Sequence, residues 1–200
     1  MRLHFASGNV HKALEFAALA AETRRAVEIV PATATGGMPP VIEDAGTFAG
    51  NARKKALALH ARLPAGSWVL ADDSGLCVDA LKGAPGVESA YYAGPQADSA
   101  ANLRKLVELM RAVPPDRRQA HFACVLVLVD PQGGEQVFDG RCEGVLREVP
   151  AGGGGFGYDP LFVPAGQSLT FAELPESVKN TLSHRGRAWA RLAAWLRDRA

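Results

Sequence analysis

The sequence is short of the features that would tie it to an oxidised scaffold, a nucleic acid or a membrane. Its three cysteines, Cys77, Cys124 and Cys142, are odd in number and show neither CxxC nor His-rich spacing. That pattern argues against a disulfide framework and a structural zinc site and fits a reducing compartment. Neither sign of charge dominates: 22 Lys and Arg against 21 Asp and Glu leave a net charge of +1, so no basic footprint advertises a nucleic acid or an anionic membrane. No apolar run approaches the length of a bilayer span. The stretch Leu3 to Ala6 after Met1-Arg2 is too short for the apolar centre of a signal peptide, and the expectation is a soluble, cytoplasmic protein. Two nucleotide signatures are missing as well. No GxxxxGK[ST] occurs, and GGGGFG at Gly152 to Gly157 spells GxGxxG but runs into Tyr158-Asp159-Pro160 where a dinucleotide fingerprint needs a helix, which excludes the Rossmann reading.

What is present is a chain of 200 residues, 48% hydrophobic and 22% charged, enough for one globular domain over 1–200, or one with two lobes, around a sizeable core. Its organising stretch is Val69 to Gly94. Val69, Leu70 and Ala71 read as a buried strand, Asp72, Asp73, Ser74 and Gly75 as a turn, and Leu76, Cys77 and Val78 as a resumed apolar run. Two adjacent carboxylates beside a core repel each other and lose hydration. The pair reads either as an Asx turn accepting backbone N–H bonds or as the seat of a cation. Gly83, Pro85, Gly86, Gly94 and Pro95 then make a long irregular connection of the kind that lines sites.

Before that stretch, Leu3 to Ala6 reads as a strand, Ser7-Gly8-Asn9 as a polar turn, and the next segment as a helix with Leu14, Ala17, Ala18 and Ala21 on its buried face. Such a turn aims backbone N–H groups at one spot, which suits phosphate, and Lys12 lies in the first helical turn. Val27 to Val30 is a second predicted strand. Thr47 is a candidate N-cap for a helix with Ala52, Ala56, Leu59 and Leu63 in a stripe. Asn51 and Lys55, four residues apart, share a face and can reach one ligand.

After it, Leu103, Leu106, Val107 and Met110 mark a helix started by Asp98 or Ser99 and stopped by Pro114-Pro115. His121 to Val129 reads as a central strand, with Glu135 to Phe138 and Cys142 to Val149 returning antiparallel across an Asp130 to Gly134 turn. The expected class is α/β with a mixed sheet. Phe156, Tyr158 and Phe162 beside the glycine run suit a loop that brings a ring against a flat ligand. Ser183 is a candidate cap for a last helix carrying Trp189, Leu192, Ala193 and Leu196. His184 and Arg185 stand at its start, where an anion or a polar ligand edge would explain basic residues.

Taken together, several ordered stretches closely resemble the inosine triphosphate pyrophosphatase family over nearly the whole chain: SGNVHK at Ser7 to Lys12, Glu43 with TFxxNAxxKA to Ala56, ADDSGL at Ala71 to Leu76, GAPGxxSA at Gly83 to Ala90, GFGYDPLF at Gly155 to Phe162, and KNxxSHR at Lys179 to Arg185. The resemblance implies an elongated mixed sheet flanked by helices, two lobes with a cleft, and a homodimer. It implies hydrolysis of ITP, dITP and XTP to the monophosphate and pyrophosphate by Mg²⁺-assisted attack of water on the α-phosphorus. Asp73 is then base and, with Glu43, metal ligand. Ser7, Gly8, Asn9, Val10, His11 and Lys12, with Asn51, Lys55 and Ser74, bind the triphosphate and sugar, and Lys179 helps neutralise the leaving pyrophosphate. Phe156, Gly157, Tyr158, Asp159, His184 and Arg185 hold and read the base. Ala45 stands where the family often has Gly, and Tyr91 where it often has Arg. The rival readings are a pyrophosphatase of similar fold for modified pyrimidines and a nucleotide-binding regulator without turnover. Intact Glu43, Asp73 and Lys55 argue against the regulator.

Overall fold

A computed structural model of the chain describes residues 1–23 and 26–199. Its strands are β1 (Arg2–Phe5), β2 (Glu28–Pro31), β3 (Trp68–Val78), β4 (Gln119–Val129), β5 (Glu135–Leu146) and β6 (Phe162–Pro164), and its helices are α1 (Val10–Ala21), α2 (Phe48–His60), α3 (Ser99–Met110), α4 (Glu176–Leu182) and α5 (His184–Arg197). The strands form a six-stranded sheet in the order β2-β1-β3-β4-β5-β6. It is mixed: β1 is parallel to both β2 and β3, while β5 and β6 are antiparallel. The fold is α/β, as the pattern of elements predicts.

Local chemistry starts the helices where the sequence places their caps. Asn9 Oδ1 accepts from the Lys12 amide at 3.2 Å, Thr47 Oγ1 from Gly50 at 3.1 Å, and Asp98 Oδ1 from Ala100 and Ala101 at 2.9 and 3.2 Å. Each satisfies donors that the first helical turn leaves without a partner.

The chain divides into two compact units, the first made of Met1–Asp73, Cys124–Gly140 and the segment from Arg185 onward, the second of Ser74–Ala123 and Arg141–His184. In the first, the sheet is covered on both faces. Leu3, Phe5, Leu70, Cys124, Leu126 and Leu128 pack against Phe16, Leu19 and Ala20 of α1 and Ala188, Trp189, Leu192 and Leu196 of α5. Ala6, Val69, Ala71, Val127 and Val129, from the opposite face, pack against Ala52, Ala56 and Leu59 of α2. This is the period-2 alternation of a strand buried on both sides. In the second unit, Leu76, Val78, Phe122, Cys142, Leu146 and Phe162 pack with Leu106 and Met110 of α3 and with Tyr158, Leu161 and Phe171. No helix among the described residues is long and apolar enough to cross a membrane.

Three expectations are corrected. The turn read at Asp72 to Gly75 is continuous strand, because both carboxylates find cationic partners and the segment has no need of an Asx turn. On α1 the buried face is Phe16, Leu19 and Ala20, whereas Leu14 is 63% exposed: alanine marks no face, and the bulkier side chains decide. The two strands read over Glu135 to Val149 are one, β5. The sequence reading names no helix at α4, which places Lys179, because seven residues with only Val178 and Leu182 apolar are too few to mark a periodic face.

Gly75 explains how β3 carries a glycine without loss. A Cβ there would lie 2.2 Å from Gly86 O and 2.4 Å from Ser89 Oγ, so the bare backbone lets the 83–94 connection approach the strand. Gly75→Ala is expected to destabilise the protein by about 1–3 kcal/mol, read as a lowered urea midpoint. An unchanged midpoint would show that this connection yields freely.

Candidate active site

Strand alternation sends two acids that are neighbours in sequence to opposite faces of β3. Asp72 shares the face of Leu70 and meets α1 and α5. The Lys12 ammonium lies 3.0 Å from each of its oxygens, and Arg185 Nε lies 3.9 Å from Oδ2. Arg185 is itself anchored by Glu15 of α1, Nη1 to Oε2 at 2.9 Å. Asp73 shares the face of Val69 and Ala71 and meets α2: Lys55 Nζ donates to its Oδ1 at 2.8 Å and Asn51 Nδ2 to its Oδ2 at 3.3 Å. Lys55 also donates to Glu43 Oε2 at 2.9 Å. Asn51 and Lys55 thus reach one target, as their spacing predicts, and the target is a carboxylate.

These environments push the two acids apart. For Asp72, complete burial works against the charge, but Lys12, Arg185 and Lys55 together outweigh it and hold the carboxyl below its ordinary range. For Asp73, burial dominates over Lys55 and Lys12, and with the help of the Asp72 charge it lifts the carboxyl from 3.8 to about 6. Lys55 is held protonated: burial pulls it down, but Asp72, Asp73 and Glu43 more than compensate. One acid is therefore a fixed charge and the other is poised to take or give a proton near neutrality, the division of roles that acid-base chemistry needs.

The turn that leads into α1 is open. Ser7 Oγ accepts from the Asn9 amide at 3.1 Å, and Gly8, Asn9, Val10 and His11 lie exposed at the start of α1. Ser74 follows Asp73 on β3 and is half-buried.

A second cluster lies within the second unit. Lys179 is buried, donates to Asp159 Oδ2 at 2.7 Å and lies 5.5 Å from the centre of the Phe156 ring. The Phe156 amide donates to the same Asp159 oxygen at 2.8 Å. Gly155, with φ +66°, makes room, since a Cβ would lie 2.2 Å from that oxygen. The Lys179 charge is thus committed to the Phe156, Gly157, Tyr158 and Asp159 loop, whereas the sequence reading gave it to pyrophosphate. His184 is buried, stacked at 4.7 Å and 9° on Phe122.

Sequence reasoning pairs Asp72 with Asp73 but gives it no role of its own, and it leaves out Glu15. Glu15 stands three residues after Lys12, hence on the same helical face, a signal that was available. Asp72 adjoins Asp73, but adjacency alone does not tell opposite faces from one turn.

The donor set suits a small hard cation. The carboxylates of Glu43 and Asp73 converge on one cationic nitrogen, and few carboxylates plus substrate oxygens are what Mg²⁺ takes. Among the described residues no group of three or more His, Cys, Asp or Glu forms a metal cage.

Fold and cluster together define an α/β protein with a lysine-bridged carboxylate centre on a doubly covered sheet. A family model described as the Ham1 family matches residues 3–195, and the chain belongs to the Ham1 family. A protein of Opitutus terrae named dITP/XTP pyrophosphatase is 63% identical over 199 residues, covering 98% of either chain. One of the same name from Streptomyces coelicolor is 45% identical over 199 residues, again covering 98% of either. The Ham1 protein structure from Staphylococcus aureus matches with a TM-score of 0.85 at 32% identity and covers 100% of both chains.

The raised Asp73 carboxyl has a measurable cost. An unfolded aspartate titrates near 3.8 and the folded one at about 6, so between these values the unfolded state loses its proton first and Asp73's contribution to stability falls as pH rises. In metal-free solution, the stability of Asp73→Asn minus that of wild type is expected to climb by about 2 kcal/mol from pH 4 to 6 and to level off above about pH 7. Urea unfolding across pH measures this, and a flat difference would mean that Asp73 titrates normally.

Proposed function

We propose that the protein hydrolyses the deaminated purine nucleoside triphosphates ITP, dITP and XTP to the monophosphate and pyrophosphate, clearing them from the nucleotide pool. The observation that carries this reading is the Glu43–Lys55–Asp73 cluster, a proton acceptor poised near neutrality beside a fixed ammonium. The names of the Opitutus and Streptomyces relatives point the same way.

Asp73 accepts the proton of a water whose oxygen attacks the α-phosphorus. The bond from that phosphorus to the bridging oxygen breaks, and pyrophosphate departs with the electron pair. Lys12 and Lys55 offset the charge it carries, and the amides of Ser7 to Lys12 cradle it. Asn51 keeps the Asp73 carboxylate oriented, and Ser74 orients phosphate or sugar. A Mg²⁺ held by Glu43 and Asp73 would supply Lewis-acid polarisation of the phosphate oxygens. Phe156 packs on the purine. Asp159, held by Lys179, reads its edge together with His184 and Arg185: hypoxanthine and xanthine carry a carbonyl oxygen where adenine has an amino group, and a guanidinium only donates. Glu15 fixes the plane of that guanidinium. The working form is a cytoplasmic homodimer, the commonest closed assembly, for which light scattering at micromolar concentration gives twice the chain mass; a monomer mass would contradict it.

Pyrophosphate release with ITP, XTP and ATP, with and without Mg²⁺, tests the activity. Wild type is expected to favour ITP and XTP strongly and to need the metal. Asp73→Asn is expected to lower kcat/KM by roughly 10²–10⁴-fold with the fold retained. Equal rates on ITP and ATP would overturn the substrate, and wild-type turnover in Asp73→Asn would overturn the mechanism. Arg185→Ala is expected to slow ITP about tenfold more than ATP. Equal slowing of both would move base selection to the Phe156 to Asp159 loop.

A further inference from the structure

The Tyr158 side chain does not stay with its loop. It is buried, and its hydroxyl donates to Ser89 O at 2.9 Å. The same carbonyl receives Asn102 Nδ2 at a longer 3.4 Å, and that amide nitrogen also donates to Ala90 O at 2.8 Å. Asn102 Oδ1 accepts from the Ala93 amide at 2.6 Å. Ser89 is tied on its other side: its Oγ donates to Gly86 O at 2.6 Å and accepts from the Leu76 amide at 2.9 Å. Ser89, Asn102 and Tyr158 are buried, and the bonds of Tyr158 and Asn102 to Ser89 O and of the Leu76 amide to Ser89 Oγ form away from water, where leaving one unmade is costly.

The arrangement is a knot of backbone and side-chain bonds that links four pieces of the second unit. These are β3 at Leu76, the 83–94 connection, α3 at Asn102, and the loop that carries Phe156 and Asp159. A hydrophobic contact alone would let that loop slide. A hydroxyl aimed at a carbonyl that an asparagine amide also holds fixes Tyr158 against the 83–94 connection, and with it the residues on either side. Phe156 and Asp159 are close enough in sequence to Tyr158 that a shift of its ring moves both.

We propose that Ser89 and Asn102 are positioning residues for base recognition: through the Tyr158 hydroxyl they set where the Phe156 to Asp159 loop meets the purine. This rests on the loop's assignment to the base under the proposed function. Neither residue touches substrate on this reading. Their effect is on how well the enzyme tells one base from another and on KM more than on the chemical step, because the Glu43–Lys55–Asp73 cluster makes no bond to them.

The test is a double-mutant cycle with Tyr158→Phe and Asn102→Ala, assayed on ITP and ATP, with melting temperature measured alongside. Tyr158→Phe keeps the ring and removes only the hydroxyl. Each single variant is expected to reduce the ratio of kcat/KM for ITP over ATP about fivefold, and Asn102→Ala, which touches no substrate, to do so through a higher KM for ITP with kcat for ITP within about twofold of wild type. The double variant is expected to lose less than the product of the singles, since both act on one carbonyl. A ratio within twofold of wild type in the single variants, whether or not the absolute rates or melting temperature fall, overturns the proposal and leaves the knot as fold support only. So does full multiplicativity in the double variant. If Tyr158→Phe does not yield folded protein, Asn102→Ala alone carries the ratio test. Wild-type enzyme with no preference for ITP over ATP would instead sink the substrate assignment, a different outcome read in the same assay.

Discussion

Two carboxylates in succession on a strand buried from both sides are the constraint from which the rest of the first unit follows. Neither can be hydrated there, and a charge left unpartnered inside a protein costs several kcal/mol. The pleat separates them, so each face must supply its own cations. Lys12 and Arg185 serve Asp72 from α1 and α5, and Lys55 serves Asp73 from α2. This fixes which turn of each helix faces the sheet, and the small Ala52 and Ala56 let α2 lie close enough for Lys55 and Asn51 to reach.

The unequal supply of cations makes the pair useful. Asp72 is over-compensated and stays ionised. Asp73 shares its lysine with Glu43 and feels the Asp72 charge, so burial prevails and its proton affinity rises. A structure assembled for stability alone would have paired both acids fully or replaced them with apolar residues, which is often neutral or better. A desolvated, half-compensated carboxylate next to a fixed ammonium is an arrangement that proton-transfer sites use, and it carries the proposal for Asp73.

Much of this was legible in the residues. Thr47 as a cap and the Asn51 and Lys55 spacing located α2 and its functional face, and the β-branched run from His121 to Val129 located β4. The acids themselves were misread as a turn, because Asp-Asp-Ser-Gly has turn chemistry and the partners that override it are distant in sequence: Lys12 is 60 residues from Asp72 and Lys55 is 18 from Asp73. The same holds for Glu15 and Arg185, 170 residues apart, and for Lys179, whose partner Asp159 no local pattern points to. The face of α1 failed for a different reason, since an alanine-rich helix offers several stripes of similar hydrophobicity. The roles assigned to individual residues come from family resemblance and not from spacing, and what the geometry adds is the opposite-face placement that holds one acid ionised and raises the proton affinity of its neighbour.

The most direct measurement of that difference is a carbon-13 NMR titration of the side-chain carboxyls in the metal-free protein. The account predicts that Asp73 titrates at about 6 while Asp72 stays ionised below the ordinary aspartate value of 3.8. Two acids titrating together near 3.8, or the reverse order, would contradict it.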